Sequence, residues 1–157
     1  MKRLRVLGPF GWVSAAWLAM AAAALAMDVR GPAEAIAGDA VRIAGRTILL
    51  YGAVAPQPEE RCFDNALPWW CGKNSRERLE RLIRGGEVHC LDKGRTADGK
   101  MLGLCRVGGV DLAESQIGNG MAIVDGTRGW TYLDAERRAR RAQTGIWHGN
   151  PGGSFSR

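Results

Sequence analysis

The chain has 157 residues, with 22 lysines and arginines against 16 aspartates and glutamates, two histidines and four cysteines. That length allows one domain with one core, and a formal charge of +6 is too weak a surplus to argue for nucleic acid by itself. With only two histidines, His89 and His148, and no Cys-x-x-Cys beside either, a zinc centre is disfavoured.

Lys2, Arg3 and Arg5 open the chain, and no charge follows from Val6 to Met27. Ala24-Leu25-Ala26 is a small-x-small cleavage pattern, so residues 1–26 read as a secretory signal peptide. A retained anchor is the other reading, since such a run could cross a bilayer core of about 30 Å. Gly8, Pro9 and Gly11 weaken its early part as a spanning helix. Both readings export residues 27–149, to the periplasm or as a secreted protein. Without the signal, 19 basic side chains face 16 acidic ones, a net of +3.

"AEAIAGDAVRIAGRTILLYGA" reads as strand, turn, strand, turn, strand, with Gly38-Asp39 and Gly45-Arg46 as punctuation. Val41 and Ile43 alternate with polar neighbours, as in a half-buried strand. Ile48, Leu49 and Leu50 form a continuous apolar run, as in a strand buried on both faces. The turn that follows, "YGAVAPQ", carries no acid, base or nucleophile, although such turns often hold the chemistry of small barrels.

Cys62, Cys71, Cys90 and Cys105 form an even set in an exported chain, which reads as two disulfides. Of three possible pairings, Cys62–Cys71 closes the loop "FDNALPWW". Cys90–Cys105 bridges two strands if these are antiparallel neighbours. The clearest helix is 74–84, with Asn74 and Glu77 as a capping box. Leu79, Leu82 and Ile83 form its apolar stripe, and Glu77–Arg81 and Glu80–Arg84 its i,i+4 pairs. Strands 86–91 and 100–107 follow, then a short helix over 111–118. The last helix lies in 131–145, with Ala135, Ala139 and Ala142 as its packing stripe. Its arginines 137, 138, 140 and 141 read as a solvated face suited to the negative end of the helix. Residues 150–157 are expected to be a disordered tail. The order of elements predicts an α+β fold, an OB-type five-stranded β-barrel with three helices.

Over residues 34–149 these words, in this order, resemble the staphylococcal nuclease (thermonuclease) family in its exported proteobacterial form. "IAGDAVRIAGRTILLYGAVAPQ" looks like the family's opening strands and active-site turn. "CGKNSRERLERLI" looks like its first helix, and "DKGRTADGKMLGLCRVGGVDLAESQIGNGMA" like its basic loop, hairpin and second helix. "AERRARRAQTGIW" looks like its last helix and terminal Gly-Ile-Trp. The resemblance implies a calcium site, a general base and two arginine clamps on phosphate. The calcium aspartate of the family's Gly-Asp-Thr word falls on Asp39, followed here by Ala40. The preceding strand aspartate falls on Ala37, the first clamping arginine on Leu49, and the second calcium aspartate on Val54. The base falls on Gln57, the second clamp on Lys100, and the aspartate opening that word on Thr96. The stacking tyrosines fall near Gly126 and Arg128.

The shape of a nuclease turn thus persists without its functional groups. The resemblance implies an exported nuclease-like domain that is catalytically inactive and acts as a binding or accessory module. No cofactor is expected in that case. Its ligand would be nucleic acid or polysaccharide, stacked on Trp69, Trp70, Trp130 or Tyr132. Trp147 reads instead as packing. One alternative is a weak calcium-dependent phosphodiesterase on DNA or RNA, with Asp39 on the metal and Glu59, Glu60 and Lys100 as catalytic groups. The other is an accessory role in exopolysaccharide synthesis of the succinoglycan type, with which some exported family members are associated.

Overall fold

Pro32 divides the first strand. In the computed structural model, which describes residues 28–148, β1 spans Val29–Gly31 and β2 spans Ala33–Ala37. The signal segment 1–26 and the tail 150–157 lie outside the described residues. Proline has no N–H for a ladder, so the chain changes partners there. β3 (Ala40–Ile43) and β4 (Arg46–Leu50) continue β2 as an antiparallel meander. β5 (Ala53–Val54) follows, then a hairpin of β6 (Cys62–Asp64) and β7 (Leu67–Trp69). Helix α1 (Cys71–Ile83) leads into β8 (Val88–Arg95), β9 (Met101–Val107) and β10 (Val110–Asp111). Helix α2 (Leu112–Gly118), β11 (Ile123–Val124) and helix α3 (Leu133–Arg141) complete the set, with 3₁₀ turns at Trp130–Tyr132 and Gly145–Trp147.

The fold is α+β, with three helices on a mixed sheet. Its ladder path runs β1-β8-β9-β4-β3-β2, with β10 also on β9; β4 and β9 pair in parallel and the other neighbours antiparallel. The expected closed five-stranded barrel is therefore corrected to an open seven-stranded sheet, six strands along the path and β10 beside it. No ladder joins β1 to β2, although Pro32 joins them covalently.

The core lies between the sheet and the helices, and includes Val41, Ile48, Leu50, Leu79, Val88 and Ile117. Val41 and Ile43 are buried with Arg42 exposed between them, as alternation requires. In β4 only Ile48 and Leu50 are fully buried; Leu49 is half-exposed because its face opens onto a hollow. Both expected disulfides are present, Cys62–Cys71 and Cys90–Cys105, and the latter joins residues directly opposed on β8 and β9. A second small core forms where Trp147 and Ile146 pack with Ala139 and the Cys62–Cys71 bridge. Arg140 stacks over Trp147 at 4.1 Å.

Helix α1 starts three residues before the expected Asn74 cap. The Asn74 N–H donates to the Trp70 carbonyl at 3.0 Å, so Asn74 lies inside the first turn and the capping box does not form. The Gly72 N–H instead donates to the carbonyl of Glu60 at 3.3 Å, so backbone from the preceding turn satisfies one of the unpaired donors at the helix start. Glu80 does not pair with Arg84; its carboxylate accepts the Ala35 N–H of β2 at 3.0 Å and ties helix to sheet. The last helix ends at Arg141, which leaves Ala142 exposed beyond the Ala135–Ala139 stripe. Among the described residues, no helix is long and apolar enough to cross a membrane.

Candidate functional site

The turn 38–39 is held from below by buried polar groups. Gln116 on α2 donates through Nε2 to the Gly38 carbonyl at 2.8 Å and to the Ser75 carbonyl at 3.0 Å. Ser75 on α1 donates its hydroxyl to the Met121 carbonyl at 2.6 Å. A Cβ on Gly38 would lie 1.7 Å from the Ser75 oxygen, so only glycine lets the turn seat on the helix. Neither Ser75 nor Gln116 stands out in the sequence, because a buried amide and hydroxyl look like surface residues until their partners are known.

On this base Asp39 is itself buried, at 6% exposure. Its Oδ2 accepts the Ala55 N–H at 2.9 Å, and its backbone carbonyl accepts the Leu50 N–H at 2.7 Å. The carboxylate thus fastens the segment after β5 to the turn between β2 and β3. Asp39→Ala, which takes this bond from a buried N–H, is expected to lower stability by about 1–3 kcal/mol. Asp39→Asn, which keeps an acceptor oxygen, should lose less. Urea denaturation of the three proteins tests this, and equal midpoints would remove the structural role.

Asp39 also lines a hollow of about 400 Å³ with Leu49, Gln57, Glu59 and Lys100. Three of the sequence-predicted site residues therefore meet: Asp39, Glu59 and Lys100. Glu60 does not join them. Its carboxylate accepts the Gln57 N–H at 3.0 Å and closes its own turn. Val54, matched to the second calcium aspartate, is not a wall of this hollow and pairs with Ile123 on β11. Lys100 reaches Asp98, with Nζ 2.7 Å from Oδ2. The Lys100 ammonium, then the Thr96 hydroxyl, hold the Asp98 carboxyl below the usual carboxylate range. Being depressed, that pairing is complete above the ordinary carboxylate pKa and is lost only as pH falls through the lowered value. The Lys100 charge is therefore shared at neutral pH.

The aromatic candidates separate. Trp70 and Trp130 are exposed, at 47% and 70%. Trp69 packs against the second small core. Tyr132 is buried and donates its hydroxyl to Asp111 Oδ2 at 3.1 Å. Burial, then the Asp111 charge, push its phenol pKa well up. The expected stacking role of Tyr132 is corrected to that of a structural donor, because its ring is buried against Gly52, where a Cβ would lie 2.8 Å from it.

Calcium takes six to eight oxygen ligands, with affinity set by carboxylate number. Here the donors at hand are one carboxylate bonded to a backbone N–H, Glu59, and the Gln57 side chain. Among the described residues no group of three or more His, Cys, Asp or Glu side chains could hold a metal ion. These residues do not fit a calcium centre. No protein-family model matches the chain, and no curated protein matches it.

Proposed function

We propose that the chain is an exported domain of the thermonuclease type with a vacated nuclease centre, acting by binding a chain-like ligand. The observation that carries this is the commitment of Asp39, the retained metal aspartate of the resemblance, to the Ala55 N–H. Around it stand Leu49 and Gln57 where that chemistry needs an arginine and a base. Deleting one preorganised charge stabiliser lowers a rate by about 3–4 kcal/mol in activation energy. Loss of a metal carboxylate, a base and an arginine together removes on the order of 10⁶-fold. The order of elements supports an OB-type arrangement of strands that stays open between β1 and β2, whose ends Pro32 links covalently. Two disulfides fit an oxidising compartment, periplasmic or extracellular.

The meeting of Asp39, Glu59 and Lys100 around one hollow favours a second reading, a weak calcium phosphodiesterase. Cleavage of single-stranded DNA in millimolar calcium, against a chelated control, decides between them. No calcium-dependent cleavage is expected. Nor should calcium raise the melting temperature, whereas a site filled at 100 times its Kd would add about 2.7 kcal/mol. Cleavage lost on Glu59→Gln or Lys100→Ala would establish the enzyme instead.

A further inference from the structure

We infer that the hollow beside Trp70 is a carbohydrate subsite, and that the groove from it through the Asp39 hollow takes an acidic glycan in which neutral and carboxylated rings alternate. This rests on the reading of the domain as a binding module.

Pro58, Glu59, Trp70, Lys73 and Arg76 wall a hollow of about 600 Å³. It shares Pro58 and Glu59 with the Asp39 hollow. That hollow in turn shares Thr47 and Lys100 with a third, to which Arg46 and Asp98 belong. The three are thus neighbours along one face, each divided from the next by residues that wall both.

Trp70 precedes helix α1, with the bridged Cys71 next in the chain. The Arg61 guanidinium lies over its ring, 3.9 Å from the centroid. A ring held by a stacked cation and a neighbouring disulfide loses little freedom on binding. The core does not use it: Trp69, one residue earlier, makes the packing contact. An exposed, immobilised indole on the wall of a groove offers a flat apolar surface to the C–H face of a sugar ring.

The charges select among polymers that stack. Proteins that track single-stranded nucleic acid do so with a positive groove, because every unit carries a phosphate. Here Glu59 stands in the wall between the Trp70 and Lys100 hollows, and Asp98 lies beyond. Carboxylates repel phosphates but accept hydrogen bonds from sugar hydroxyls. The cations fall into two groups either side of Glu59: Lys73 and Arg76, then Lys100 and Arg46. Lys73 is paired with Glu77 at 3.9 Å and Lys100 with Asp98 at 2.7 Å, whereas among the described residues Arg46 and Arg76 form no ion pair, so each station keeps one unshared guanidinium. Two cationic stations separated by an acceptor suit a chain whose carboxylated rings are interrupted by neutral ones.

Calorimetric titration of the purified protein with a hyaluronan octasaccharide, neutral chitohexaose and the oligonucleotide dT12 tests this. The octasaccharide should bind saturably and at least tenfold more tightly than chitohexaose. Trp70→Ala should raise its Kd at least tenfold, and the double variant Lys73→Ala, Arg76→Ala at least fivefold, each with a wild-type melting temperature. If Trp70→Ala fails to fold, the double variant alone decides. Absent octasaccharide binding, equal binding of chitohexaose, or binding indifferent to these substitutions overturns the inference. Tighter, Trp70-dependent binding of dT12 also overturns it while leaving the binding-module reading intact. Calcium-dependent cleavage of dT12 defeats that reading itself.

Discussion

Gly72→Ala is expected to destabilise the domain by about 3 kcal/mol or more, although alanine is ordinarily the better helix residue by about 1 kcal/mol. Gly72 lies in the first turn of α1, and a Cβ there would stand 1.5 Å from the Gln57 carbonyl oxygen and 2.5 Å from its carbon. Both are backbone atoms, so no side chain can swing aside. The turn 57–60 would have to leave the helix, which breaks the Gly72 N–H bond to Glu60. Overpacking typically costs about 1–3 kcal/mol, and a backbone obstruction belongs at the upper end. The same displacement carries Glu59 out of the groove wall, so ligand binding should fall with stability. Urea midpoints followed by circular dichroism measure the effect. A gain in stability would show that the turn does not rest on the helix.

Loss of both disulfides should leave the chain near the limit of folding. By the loop-entropy relation, a separation of 15 residues for Cys90–Cys105 corresponds to about 3 kcal/mol. The separation of nine for Cys62–Cys71 corresponds to about 2.6 kcal/mol. The bridges belong to different core clusters, so their effects should nearly add. Together they approach the whole stability of a small domain, about 5–15 kcal/mol. Cys62–Cys71 also supports the packing of Trp147, so its loss should loosen the C-terminal turn first. Alkylation without reductant should add no mass to the folded protein, and denaturation with and without reductant gives the magnitude. A difference below about 1 kcal/mol would mean that the bridges constrain little.

Local, short-range signals in the sequence determined much of this protein. Alternation at Val41 and Ile43 placed β3, and the Leu79–Ile83 stripe placed the buried face of α1. The even cysteine count and its spacing gave two bridges that the strands then accommodate. That "YGAVAPQ" carries no acid, base or nucleophile was visible as plain residue identity. Tertiary structure decided what neighbours in sequence do differently. Glu59 enters the groove while Glu60 closes its turn. Trp69 packs inward while Trp70 faces solvent. Glu80 binds a β2 amide rather than the arginine one helical turn away. Tyr132 loses its ring to the interior because Gly52 admits it there. In each case the deciding partner lies outside the local pattern, on another strand, turn or helix. Periodicity fixes which way a side chain points along its own element. It carries nothing about which distant backbone group, or which open hollow, will be waiting on that side.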